Sequence, residues 1–225
     1  MFANYDNLLG QGIYSIPEAA HIVGLQAPRI RRWVSGYTAI QGHTYKPVVP
    51  AELPVIEGKI ALSFHDLLEL HFIKAFMSEG VKLPAIRKAA KLASEILGVD
   101  KHPFVRLEFK TDRKDIMQAI DQQMLNLNKS QYEFEGIITQ SLFKGFVYSD
   151  KSARAWHPSS SESSVILNPE IALGKPTIEN TSIRTRAIFH AWQSEGRNVK
   201  LVAGMFNLKP KQVKDAVSFE QRMAA

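Results

Sequence analysis

Apolar residues recur at helical spacing in two short runs near the start of the chain. Ala19, Ala20, Ile22 and Val23 form the first run; Ile30, Trp33 and Val34 form the second, at i, i+3, i+4. Ser15-Ile16-Pro17-Glu18 precedes the first run and predicts a capping box, with Ser15 as N-cap and Glu18 at the third helical position. Pro17 falls in the first turn, where its missing N–H is not needed. Gly24 predicts the stop, Leu25-Gln26-Ala27 the turn, and a second helix runs from about Pro28 to Gly36. Two short helices across such a turn have the spacing of a helix-turn-helix, whose second helix is the one that enters the major groove.

The pattern continues with two β-prone stretches around Glu57-Gly58, within Leu53–Leu62, which predict a hairpin in the position of a wing. Ser63 to Asp66 is a second capping signal, before a helix to about Glu79 that buries Leu67, Leu68, Phe72, Ile73 and Phe76. A further helix is expected over Leu83–Leu97, stopped by Gly98. Phe104–Lys110 alternates apolar and polar residues and predicts a half-buried strand. Met124–Leu127 is expected as a strand, 131–143 as a helix capped by Ser130, and 146–156 as a hairpin about Ser149-Asp150-Lys151-Ser152. Pro158–Ser164 holds five serines in seven residues and reads as a solvated, mobile linker. Beyond it, helices are expected at about 183–195, 198–206 and 210–222. The fold class expected is therefore mainly α with small β-hairpins. It comprises an N-terminal winged helix-turn-helix (1–100), a small α+β middle region suited to dimerisation (101–158), a serine linker (159–164) and a C-terminal three-helix, helix-turn-helix-like unit (165–225).

Composition narrows the chemistry. The chain has 225 residues, 45% hydrophobic and 22% charged, ordinary proportions for a protein with a real core. No apolar run approaches the ~20 residues that span a bilayer, and Met1–Asp6 lacks the basic and apolar features of a signal peptide, so a cytoplasmic location is expected. There are no cysteines, which excludes disulfides, thiolate catalysis and cysteine-ligated zinc. The seven histidines have no metal-motif spacing. No catalytic or cofactor-binding motif occurs, so neither an enzyme nor a bound cofactor or metal is expected. Gly174-Lys175-Pro176-Thr177 has the look of a phosphate loop but lacks the upstream glycine, and Pro176 removes a donor; it reads as a structural loop.

The net charge is +6, and residues 166–225 carry 9 basic against 5 acidic side chains, a net of +4. Between Glu18 and Glu52 there is no acidic residue, while Arg29, Arg31, Arg32 and Lys46 are present. A basic patch free of acids is the footprint of phosphate binding. Arg29, Arg31 and Arg32, on the free side of the second helix, are the candidates for phosphates or guanine edges. Tyr37, Thr44 and Lys46 are the candidates for backbone phosphates.

The stretch from Tyr14-Ser15-Ile16-Pro17-Glu18-Ala19-Ala20 through Arg31-Arg32-Trp33 resembles MerR-type winged helix-turn-helix domains. Leu167-Asn168-Pro169, followed by Gly174-Lys175-Pro176-Thr177-Ile178-Glu179-Asn180-Thr181-Ser182-Ile183, resembles a small trihelical family of bacterial antitoxin-like domains. Joined through Phe109-Lys110-Thr111-Asp112 and Trp156-His157-Pro158, the two resemble VapB-type antitoxins with an N-terminal DNA-binding domain. That family has Arg after the loop threonine; Ser182 stands there in this chain, with Arg184 two residues on. The resemblance implies a toxin partner, typically a PIN-like ribonuclease, and repression of the protein's own operon; on that basis a homodimer on its double-stranded operator is expected, with the C-terminal unit as the part that binds the toxin. The rival readings are a stand-alone MerR-like regulator and a protein-interaction adaptor without DNA binding.

Overall fold

The computed structural model describes residues 8–38, 40, 42, 44–112, 116, 143–159 and 162–224. The expected strand at 124–127 lies outside them, as does the expected helix at 131–143 apart from Phe143. Among the described residues the fold is mainly α with small antiparallel strand pairs, and no helix is long and apolar enough to cross a membrane.

β1 (Tyr14–Ser15) leads into α1 (Ile16–Val23), and α2 (Ala27–Ser35) follows after a three-residue turn. The Ser15–Glu18 capping box forms as expected, and Gly24 closes α1 in the left-handed region at φ 70°. Satisfying the free N–H groups in this way contributes roughly 1 kcal/mol per cap. β2 (Tyr37–Thr38) pairs with β3 (Thr44–Tyr45) in a ribbon directly after α2. β4 (Ala61–Leu62) precedes α3 (Phe64–Ser78), and α4 (Leu83–Leu97) follows. Ser63 and Asp66 form the second capping box, and Gly98 ends α4 with φ 64°.

The expected hairpin over 53–62 is shorter than its sequence suggested. The Glu57-Gly58 turn forms, with Ile56 and Lys59 exchanging hydrogen bonds of 2.9 and 2.8 Å. No ladder extends from it. Ala61 and Leu62, both buried, pair instead with Ser15 and Tyr14, while Val55 is left exposed. Burial of the last two residues against α1 outcompetes continuation of the hairpin.

The expected strand over 104–110 is a correction. Pro103–Val105 is a 3-10 turn, and Leu107–Thr111 is α5. Phe104 and Val105 are consecutive and both fully buried; a strand would have sent them to opposite faces. The turn instead aims Phe104 at Phe76 (5.1 Å between centroids) and at Phe109 (5.1 Å). Phe72 joins Phe143 at 5.3 Å and Phe146 at 5.7 Å. Aromatic pairs of this kind add about 0.5–1.5 kcal/mol each beyond their area. They fix the middle region onto α3.

β5 (Phe146–Ser149) and β6 (Ser152–Trp156) form the expected hairpin, with an irregularity at Val147/Tyr148. β7 (Val165–Ile166) pairs with β8 (Thr177–Ile178), and α6 (Thr185–Ser194), α7 (Val199–Met205) and α8 (Pro210–Ala224) complete the chain. Two main cores result. One gathers buried side chains from Tyr14 to Leu167, the other from Val165 to Phe219. The described part of the serine stretch is tied down rather than free. Ser164 N–H donates to Asp215 at 2.8 Å, Lys211 reaches the Glu162 carbonyl at 2.9 Å, and Arg222 donates to the Ser159 hydroxyl.

A polar network lies inside the first core. Asp66 Oδ2 accepts from the Ser63 and Glu52 N–H groups at 2.9 and 3.0 Å, and Asp66 Oδ1 lies 2.8 Å from His102 Nε2. Glu69, on the next turn of α3, is buried with one carboxylate oxygen unpartnered. Burial pushes its carboxyl up to about 8, against the opposing pull of His102 and the Phe104 N–H. The folded chain therefore holds this proton well above the pH at which the unfolded chain releases it. The associated stability is full below the ordinary carboxylate range and is lost as pH rises toward about 8. Glu69→Gln removes the ionisation. Urea midpoints at pH 5 and pH 8 are expected to differ less in the variant than in the parent; an unchanged difference contradicts this assignment.

Candidate nucleic-acid interface

α2 presents its charge because its other side is fully committed. Ile30, Trp33 and Val34 are buried, and Arg29, Arg31 and Arg32 are exposed. Among the described residues none forms an ion pair or hydrogen bond with these three guanidinium groups. α1 sets the angle of α2: Lys74 of α3 donates to the Val23 carbonyl at 2.7 Å, holding the C-terminal end of α1 beside Gly24.

The ribbon after α2 is fixed by three kinds of contact. Tyr37 and Tyr45, paired in register, stack with centroids 4.8 Å apart and planes at 19°. The hydroxyls of Thr38 and Thr44 lie 3.1 Å apart. The Trp33 carbonyl accepts from Val48 at 2.7 Å and Val49 at 3.2 Å, drawing the strand exit back onto α2. Arg87 of α4 donates to the Lys46 carbonyl at 3.0 Å and lies 5.8 Å from the Tyr45 ring centroid.

Arg29, Arg31 and Arg32 are all exposed on α2, and Thr44 and Lys46 are exposed in and just after β3. Tyr37 is placed differently from a free phosphate ligand: it is half-buried, with its ring against Tyr45. Tyr45 and Arg87 did not stand out in the sequence, yet they hold the ribbon. A signal was present in the mirrored order Tyr37-Thr38 and Thr44-Tyr45, which an antiparallel register sets like against like.

The C-terminal unit grips the other end of α1. The Tyr14 hydroxyl donates to the Gly174 carbonyl at 2.6 Å, and the Ile13 N–H donates to the Leu173 carbonyl at 2.9 Å. Lys175 reaches the Ile13 carbonyl at 2.9 Å and Glu18 at 2.5 Å. Burial opposes ionisation of Glu18, but the bonds from Lys175 and Ser15 win and hold its carboxyl below the ordinary range. The lysine of the Gly174-Lys175-Pro176-Thr177 loop is therefore occupied within the fold. Arg184, the N-cap residue of α6, is exposed, as is Ser182.

Residues 165–219 match the family described as "Protein of unknown function (DUF433)". No curated protein matches the sequence. Among solved structures the chain is similar to the X-ray crystal structure of Rv2018 from Mycobacterium tuberculosis. The TM-score is 0.71 at 17% identity, over 91% of this chain and 96% of that one. The two chains therefore share a fold over nearly their whole length.

Gly36 is the residue on which this surface turns. Its φ is 71°, and a Cβ there would lie 2.4 Å from the Tyr45 carbonyl oxygen. Gly36→Ala combines a left-handed backbone with a backbone collision, a cost of about 1–3 kcal/mol for the strain alone. The variant is expected to melt earlier and to lose the Tyr37–Tyr45 stack, read as a change in near-ultraviolet circular dichroism. Parent-like melting and spectrum contradict this.

Proposed function

We propose that this chain binds double-stranded DNA through α2 and the β2–β3 ribbon and serves as antitoxin and autorepressor of a toxin–antitoxin pair. The observation that carries the DNA half is the exposed trio Arg29, Arg31 and Arg32, with no protein partner among the described residues, beside a ribbon that is itself held in place. On this reading α1, its turn and α2 are a helix-turn-helix and the ribbon is its wing. α2 enters the major groove, and Thr44 and Lys46 hold phosphates alongside. Two copies reading a pseudo-palindromic site would give the half-site spacing expected of such dimers.

The antitoxin half is supported by the resemblance of the two ends of the chain to VapB-type antitoxins, and by the family match over 165–219. The C-terminal unit is the proposed toxin-binding part, with a PIN-like ribonuclease as the toxin. The clasp between Lys175 and α1 connects that unit to the helix on which the proposed DNA-reading helix α2 packs.

Selection of duplexes from a random library by the purified chain is expected to enrich one sequence motif. Binding to the selected duplex should fall steeply with salt, with a log–log slope of about −0.9 per neutralised phosphate. If Arg32 reads a base, Arg32→Ala costs about 1–3 kcal/mol and relaxes one position of the motif; if it holds a phosphate, all sequences weaken alike. Failure to enrich any motif, or unchanged binding of selected and random duplexes by the variant, removes α2 from the interface.

A further inference from the structure

Three residues far apart in sequence meet beside the Asp66 network. Glu52 lies on the loop before β4, His65 on α3 and His102 just ahead of the 3-10 turn. Each offers a ligand atom, and these atoms all lie within 4.8 Å of one another. His102 is buried, His65 partly so, and Glu52 is the most exposed of the three. We propose that Glu52, His65 and His102 form a binding site for a divalent transition-metal ion, Zn²⁺ being the natural occupant.

The second coordination layer is already in place. A histidine that ligates a metal donates its other ring N–H to a carboxylate or backbone carbonyl, which fixes the tautomer and the ring orientation. Both histidines have such an acceptor. His102 Nε2 lies 2.8 Å from Asp66 Oδ1, and His65 Nε2 lies 3.1 Å from the Ala153 carbonyl oxygen. With Nε2 engaged in each ring, Nδ1 is the nitrogen left to ligate. Asp66 is fully buried and held by the Ser63 and Glu52 N–H groups, so the acceptor for His102 cannot drift. The hydrogen bond from the Glu52 N–H to Asp66 also fixes the backbone that carries the third ligand.

Two imidazoles and a carboxylate are the donor set of borderline divalent ions, and a water completes four-coordination. Ligand atoms around tetrahedral zinc are about 3.3 Å apart, given bonds of about 2.0–2.1 Å. The three ligand atoms, all within 4.8 Å of one another, would draw in to that spacing when the ion binds. Arg106 is a positive charge that acts on His65, and the carboxylates of Glu52, Asp66 and Glu69 act on His102 in the opposite sense. The ion would staple the 52 loop, α3 and the 102 turn to one point, with β6 attached through Ala153. It would join the α1–α4 unit to the middle region, with one coordination position left to water.

The test is titration of the full chain, stripped with chelator, with Zn²⁺ and with Co²⁺ as a spectroscopic probe. One equivalent per chain, a visible Co²⁺ band and a melting temperature that rises with free Zn²⁺ are expected. Glu52→Gln alters the most exposed of the three side chains while keeping the backbone N–H that Asp66 uses, so it should fold like the parent. Glu52→Gln and His65→Ala are each expected to weaken Zn²⁺ affinity by at least about tenfold, the scale on which even outer-layer partners act. Absence of saturable binding overturns the site. Equal affinity in the parent and both variants does so too, since the metal would then lie elsewhere.

Discussion

Tyr14 is the residue on which the two halves of the molecule depend. Its backbone pairs with Leu62, its ring is buried in the first core, and its hydroxyl is bonded to Gly174 in the C-terminal unit. Burial, with the neighbouring charge of Glu18, pushes its phenol far above the ordinary range, so it acts only as a neutral donor. Gly174 has no room for a side chain: a Cβ would lie 2.4 Å from the Tyr14 hydroxyl. Lys175, one residue on, lies 5.6 Å from the Tyr14 ring centroid and binds Glu18. The start of α1 is thereby fixed by a contact that spans 160 residues of sequence.

The exposure of the arginines follows from that anchoring. α1 is held at one end by the Gly174-Lys175 loop and at the other by Lys74. The apolar side of α2 then has one place to go, and its charged side has only solvent. The ribbon is attached to the same body through the Trp33 carbonyl and Arg87. The backbone that carries the arginines is thereby held in advance, which spares the proposed phosphate recognition the cost of ordering it.

Helix boundaries were legible wherever local chemistry decides them. Ser15, Ser63, Gly24 and Gly98 cap their helices from side chains and backbone within a few residues, and they do so as the sequence indicates. Strand pairing was less legible. Ala61–Leu62 prefers Tyr14–Ser15 to its sequence neighbours, and Phe104–Phe109 looks like a strand until Phe72 and Phe76 are placed against it. Both outcomes are set by distant burial. The arginines of the proposed DNA surface were legible because helix periodicity sorts them; Tyr45 and Arg87 were not, since their role is to touch each other. The Glu52, His65 and His102 cluster carries no motif, because only the fold brings these positions together.

The antitoxin proposal stands on a partner that the chain must hold in the cell. The most direct measurement is purification of the tagged chain from its native host, with mass spectrometry of the stoichiometric components. A small ribonuclease at about one copy per chain is the predicted result. Recovery of the chain alone, or with DNA and no second protein, would contradict the antitoxin role and leave a stand-alone regulator.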